Sequence, residues 1–225
     1  MMKDIKNCCK LLKHGYQMKI NAIAAIMFLL LGILYAIMDY EQFPLCVMYI
    51  FLAVSMAGQG MNMHLFSGYV AASPARKRIE FRYMDLINAI LGAVGVIITL
   101  AISFCMEPSF CMDPVEMEYT CAETLLVVGG LAIIVLYVYV GMAYKLFVVS
   151  TFFFTASMMV IMLGTASFLD KILSPGLEGK RALAVAIFLV EFVIGLVLSG
   201  VVRRALYRKE LSKWAAGAKL RAEQS

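Results

Sequence analysis

The chain has 225 residues, of which 63% are hydrophobic and only 16% charged, with a net charge of +5. Soluble domains sit near ~45–50% apolar and ~25% charged, so water is not the main solvent of this chain. Disorder is excluded too, because it needs low hydrophobicity and high charge density. Six cysteines are too sparse for a disulfide scaffold of this length. The composition predicts an all-α integral membrane protein with little chain left for a separate soluble domain.

Six apolar runs follow in chain order, at about 22–38, 43–63, 86–106, 124–144, 146–169 and 182–202; the last is interrupted only by Glu191. Most are close to the ~20 residues a helix needs to cross ~30 Å of hydrocarbon. None alternates polar and apolar residues as a membrane β-strand does, which argues against a barrel. Helices also satisfy their own backbone groups in lipid. The first run reads as a span rather than a cleaved leader, because Asp39, Tyr40 and Glu41 follow it in place of a small-x-small site.

Six spans put both termini on one side. If that side is the cytoplasm, 17 of the 20 basic residues fall inside, with five acidic ones, and three basic and nine acidic residues fall outside. The inner side then nets +12 and the outer −6, with Glu191 between them. Basic residues in short loops set orientation, so the topology expected is N-in, C-in. The pI near 8.9 is thereby a topology signature, and no nucleic-acid partner is expected. Basic segments next to the spans favour anionic lipid.

Residues 1–21 are expected to form a cytoplasmic amphipathic helix lying in the membrane interface. Ile5, Cys8, Leu12 and Tyr16 fall on one face, and Lys6, Lys10 and Lys13 hold another. A lipid-anchoring elbow and a partner-docking helix both fit this pattern. Between the second and third spans, Ser73 and Pro74 can start a short surface helix carrying Arg76, Lys77 and Arg78, followed by Ile79, Phe81 and Tyr83. On composition alone this is a positive-inside charge cluster. The external stretch 105–123 is acidic and contains Cys105, Cys111 and Cys121. A disulfide among these three is expected on the oxidising side, with the pair left open. Gly164, Pro175, Gly176 and Gly179 punctuate 163–181. The fifth span can end early there, ahead of a short external helix around 167–173. Residues 203–225 form a basic cytoplasmic tail with Tyr207, Leu211 and Trp214 on one face.

No phosphate-binding GxxxxGK[ST] loop, HExxH pair or GxSxG elbow occurs. The chain is therefore expected to be no enzyme by itself and to hold no metal or cofactor. Glu191 is the one ionisable residue deep in a span, and a charged carboxylate there costs ~2.5–3.5 kcal/mol on insertion scales. It reads as a candidate for a translocation path or a proton site. A carboxyl hydrogen-bonded to a neighbouring helix is the plainer alternative. Gly92 with Gly95, Gly195 with Ser199, and Thr151 with Thr155 have the spacing that lets helices approach closely.

The whole chain resembles the permease subunit of an ABC-2-type transporter. The resemblance rests on the basic N-terminal helix, the six-span layout and Ala72-Ser73-Pro74-Ala75-Arg76-Lys77-Arg78-Ile79, which is similar to that family's small/Leu-Pro-x-[Ser/Ala]-Arg-Lys pattern. A short external element before the last span is also similar. The compact size resembles small bacterial peptide exporters of the phenol-soluble-modulin or bacteriocin kind. The resemblance implies a multi-pass protein of the bacterial cytoplasmic membrane that pairs with a second permease chain. It implies separate ABC ATPase subunits that bind ATP and magnesium and dock on Ser73, Pro74, Ala75, Arg76, Lys77, Arg78 and Ile79. The cargo it implies is hydrophobic or amphipathic, a peptide first. The residues alone leave two other readings: a proton-coupled secondary carrier using Glu191, and a membrane interaction protein without transport activity.

Overall fold

A computed structural model of the chain describes residues 18–38, 43–65, 74, 77–105, 122–143, 145–164, 170–177 and 179–207. Among the described residues there are helices and turns and no strand. In chain order they are α1 (Met18–Met38), α2 (Phe43–Leu65), a π-helical segment (Arg78–Tyr83) that runs straight into α3 (Met84–Cys105), α4 (Ala122–Ala143), α5 (Phe147–Gly164), the short α6 (Asp170–Leu177) and α7 (Arg181–Leu206). Four stretches are long and apolar enough to cross a membrane: Lys19–Ile37, Phe81–Cys105, Ala122–Ala143 and Arg181–Leu206. Phe43–Met56 and Val148–Ile161 are shorter apolar helical stretches. The chain is thus all-α, with the character of a membrane-embedded protein.

Helix α4 is the hub. It packs along α7, against α2 on another side and against α5 on a third, which a helix apolar all round requires. Gly129 and Gly130 are adjacent, so they point ~100° apart and serve two different neighbours. Val47 of α2 lies over Gly129, and Glu191 of α7 lies over Gly130. Further along, Gly195 of α7 lies against Tyr137 of α4, and Gly141 of α4 against Ser199 of α7. The order of these pairs shows that α4 and α7 run parallel. A Cβ on Gly141 would stand 2.9 Å from the Ser199 carbonyl oxygen, a backbone atom that cannot swing away. Removing the Cβ at these positions is what lets the two backbones close up.

The buried stripe of α7 is Ala184, Phe188, Glu191, Gly195, Ser199, Arg203 and Leu206. Its spacing of three or four residues is that of one helical face. The opposite face, including Val190, Val193, Val197 and Val201, is exposed. Helix α1 packs chiefly on α2, where Tyr35 and Phe28 stack on Tyr49 at 5.4 and 6.1 Å. Its other side, Ile20, Ile23, Met27, Leu30, Leu34 and Ile37, is open. Helix α5 packs chiefly on α4 and exposes Val148, Phe152, Val160 and Leu163.

Several boundaries differ from expectation. Helix α1 begins at Met18, inside the stretch assigned to the interfacial helix, and the rest of that stretch, with Ile5, Lys6, Cys8, Lys10, Leu12 and Lys13, lies outside the described residues. Helix α7 continues to Leu206 because Arg203 and Leu206 extend its buried stripe. The short helix expected around 167–173 runs over Asp170–Leu177 and passes through Pro175. It ends where Lys180 takes up its last carbonyls, with the amide donating to Leu177 O at 2.8 Å and Nζ donating to Gly176 O at 2.9 Å. Gly179 then turns the chain at φ +68°, a conformation glycine adopts without cost.

Candidate functional site

Two places gather chemistry: a seam inside the helix bundle and a cluster where the π-helical segment, the α4–α5 turn and the last turn of α7 come together. In the seam, Glu191 lies on the packed face of α7, is 7% exposed, and sits where Gly130 leaves room for its carboxyl. A methyl at Gly130 would overlap Oε2. That oxygen has no hydrogen-bond partner among the described residues. Asn88 Nδ2, Thr99 Oγ1, Thr124 Oγ1 and Ser199 Oγ are in the same position. Buried polar atoms are nearly always paired, so these five, spread along α3, α4 and α7, are exceptions.

Next to Glu191, the rings of Phe51, Tyr137 and Phe192 meet, with centroids 6.0–6.3 Å apart. They come from α2, α4 and α7, and α3 closes the cluster with two glycines. A Cβ on Gly92 would come within 2.7 Å of the Phe192 ring, and one on Gly95 within 3.3 Å of Phe51. Tyr137 Oη donates to the Asn88 carbonyl at 3.2 Å. The small-residue pairs on α3 and α7 therefore serve packing within one chain. Thr151 and Thr155 on α5 are exposed, and Thr155 Oγ1 donates to Thr151 O at 2.9 Å.

At that cluster, Pro74 is exposed in a turn, and Lys77 and Arg78 are exposed after it. Ile79 is half-buried against a small apolar cluster of Tyr83, Met84 and Ile87. Arg78 lies 5.9 Å from the Tyr83 ring, a cation–π contact. Ser73, Ala75 and Arg76 lie outside the described residues. Phe81 turns the other way and meets the Tyr207 ring at 5.1 Å. Lys145, in the turn between α4 and α5, is 3% exposed. Its Nζ donates to Leu206 O at 2.8 Å and to Tyr207 O, and lies 5.6 Å from the Tyr207 ring. The last carbonyls of a helix lack partners within it and carry its negative dipole end, so a buried ammonium there has reason to stay charged. Arg204 donates to Asp85 at 3.2 Å, and buried Arg203 acts on Asp85 as well.

Among the residues expected to carry function, Pro74, Lys77, Arg78 and Ile79 share this end of the bundle, and Glu191 belongs to the separate seam. Cys105 is an exposed free thiol at the end of α3, and its possible partners Cys111 and Cys121 lie outside the described residues. At the opposite end of the bundle, Arg181 donates to Ser103 O and stands 4.5 Å over the Phe104 ring, joining α3 to the start of α7. Sequence reasoning counted Lys145 only as an inner charge, took Phe81 only as part of a short surface helix, and gave Asp85 no role. A usable clue was that Lys145 is the only charge between two long apolar runs.

Among the described residues no cluster of three metal-ligating side chains occurs. No protein-family model, curated protein or solved structure matches the chain.

Proposed function

We propose that the chain is the permease subunit of an ATP-driven ABC exporter, with six spans, N-in and C-in, in a bacterial cytoplasmic membrane. One observation carries this reading: the Lys77–Arg78 end of the helical segment that runs on into α3 is exposed, while Ile79 packs on the apolar cluster and Phe81 on the Tyr207 ring; in this reading that end faces the cytoplasm. An exposed basic tip on a rigid helix suits docking on a soluble partner. The energy source in this reading is a pair of ABC ATPase subunits carrying ATP and magnesium, and a second permease chain completes the transporter. The cargo is hydrophobic or amphipathic, a peptide first, because the apolar runs carry few fixed charges to replace the hydration shell of a small ion.

Purification of the tagged chain from its own membrane tests this reading. The expected result is a bound ATPase whose hydrolysis the chain stimulates. Changing Arg76, Lys77 and Arg78 together to Ala is expected to weaken that binding at least tenfold. Unchanged binding in the triple variant would remove the docking assignment.

A second reading rests on the unpartnered Oε2 of Glu191, buried at the level where α4 and α7 meet. A buried carboxyl with an open position suits a proton-coupled carrier. For Glu191 to meet cargo, α4 and α7 must part. Transport by the chain alone in liposomes under a pH gradient, abolished by Glu191→Gln, would favour this reading over the first.

A further inference from the structure

The seam and the tip account for Glu191 and for Lys77–Arg78, but neither uses the buried lysine at the inner end. Lysine is almost never fully buried unless paired. Lys145 holds the last two described carbonyls of α7 from a turn that belongs to α4 and α5. The Tyr207 ring is then touched from two directions, by the Lys145 ammonium at 5.6 Å and by the Phe81 ring at 5.1 Å. Three elements far apart in sequence meet on one residue.

We propose that Phe81, Lys145 and Tyr207 form a clasp that makes the π-helical segment, the α4–α5 turn and the inner end of α7 move as one unit. A displacement of the Lys77–Arg78 tip is thereby delivered to α7 and α4. The purpose of the clasp rests on the permease reading above, and its mechanics do not. Lys145 and Tyr207 are positioning residues, since they act through the helix they hold.

The local geometry supports a lever. A π-helical turn carries an i→i+5 bond and appears mostly as a single turn, often at functional sites. Here it lets Ile79 and Tyr83 face the apolar cluster while Phe81 reaches Tyr207. Return of this segment to α-helical winding would shift its register by one residue and rotate the tip by ~100° about the helix axis. The Asp85–Arg204 pair is a second link between α3 and α7, but its side chains are 33% and 60% exposed. Exposed pairs contribute little, so the hold falls on the buried ammonium and the ring pair.

Hydrogen exchange of the full chain in lipid nanodiscs tests the clasp with no ATPase present. Phe81→Ala is expected to speed exchange about two- to tenfold over 142–147 and 203–207 as well as 78–84, with α1 unchanged. Phe81→Tyr restores the wild-type rates, and Phe81→Leu, which keeps apolar volume but no ring, follows Ala. Lys145→Met has the same reach from the other side. Faster exchange confined to 78–84 in Phe81→Ala would show three independent elements and overturn the proposal. In the complex purified with its ATPase, Lys145→Met is expected to keep ATPase binding and lose cargo movement per ATP, with Lys145→Arg retaining it. Unchanged movement per ATP in Lys145→Met overturns the transmission role. If exchange behaves as expected and wild-type chain carries no ATPase, the clasp stands and the permease reading falls.

Discussion

Helices α1 and α4 reach the same mean hydropathy over their most apolar stretch, yet 11% of the first is buried and 67% of the second. Apolarity got both into the membrane and says nothing about where in the bundle each one goes. What differs is the number of glycines in contact with a neighbouring helix. Helix α4 carries Gly129, Gly130 and Gly141, each against a different atom of a neighbour, while α1 has Gly32 alone, against α2. In lipid there is no hydrophobic drive between helices, so close approach and van der Waals contact decide which helix becomes the hub.

Substitutions should therefore be severe in the hub and mild at the rim. Gly141→Val drives a side chain into the Ser199 backbone and is expected to cost ~3 kcal/mol or more, read by steric-trap unfolding in bicelles. Phe192→Ala removes one ring of the three-ring cluster and is expected to cost ~3 kcal/mol in the same assay. A value under ~1 kcal/mol for either would mean that the hub is looser than its glycine contacts indicate.

The two helices also mark how far the sequence could be read. Uncharged runs located the four long apolar helices, because a charge in hydrocarbon is expensive and leaves a gap in the pattern. Glu191 stood out for the same reason. Its seat did not, since nothing in the run around Gly130 says which of two adjacent glycines will face α7. Lys145 looked like one more inner charge, because burial of a lysine against helix carbonyls 61 residues later in the chain is a tertiary event. The end of α7 was misjudged for a related reason. Arg203 and Arg204 read as the start of a solvated tail, while Arg203 is fully buried on the packed stripe. The short helix before α7 came out displaced because Pro175 was taken as a break, although the helix passes through it and ends two residues later.

Smaller effects sharpen the contrast. Asp85→Asn removes an exposed charge pair between α3 and α7 and is expected to cost ~0.2–1 kcal/mol at low salt, shrinking as ionic strength rises. A salt-independent loss would point to Asp85 acting through buried Arg203 instead. Leu30→Ala on the open side of α1 is expected to change stability by ~0.5 kcal/mol or less. A loss as large as that of Phe192→Ala would place α1 in a tight interface.

The most direct test of hub against rim is oxygen accessibility of single nitroxide labels in bilayers, placed at Leu30 of α1, Val160 of α5 and Val128 of α4. Leu30 and Val160 are 57% and 70% exposed, and Val128 is fully buried. High accessibility is predicted at the first two and low accessibility at Val128. A label at Val128 as accessible as one at Leu30 would contradict the arrangement of the bundle around α4.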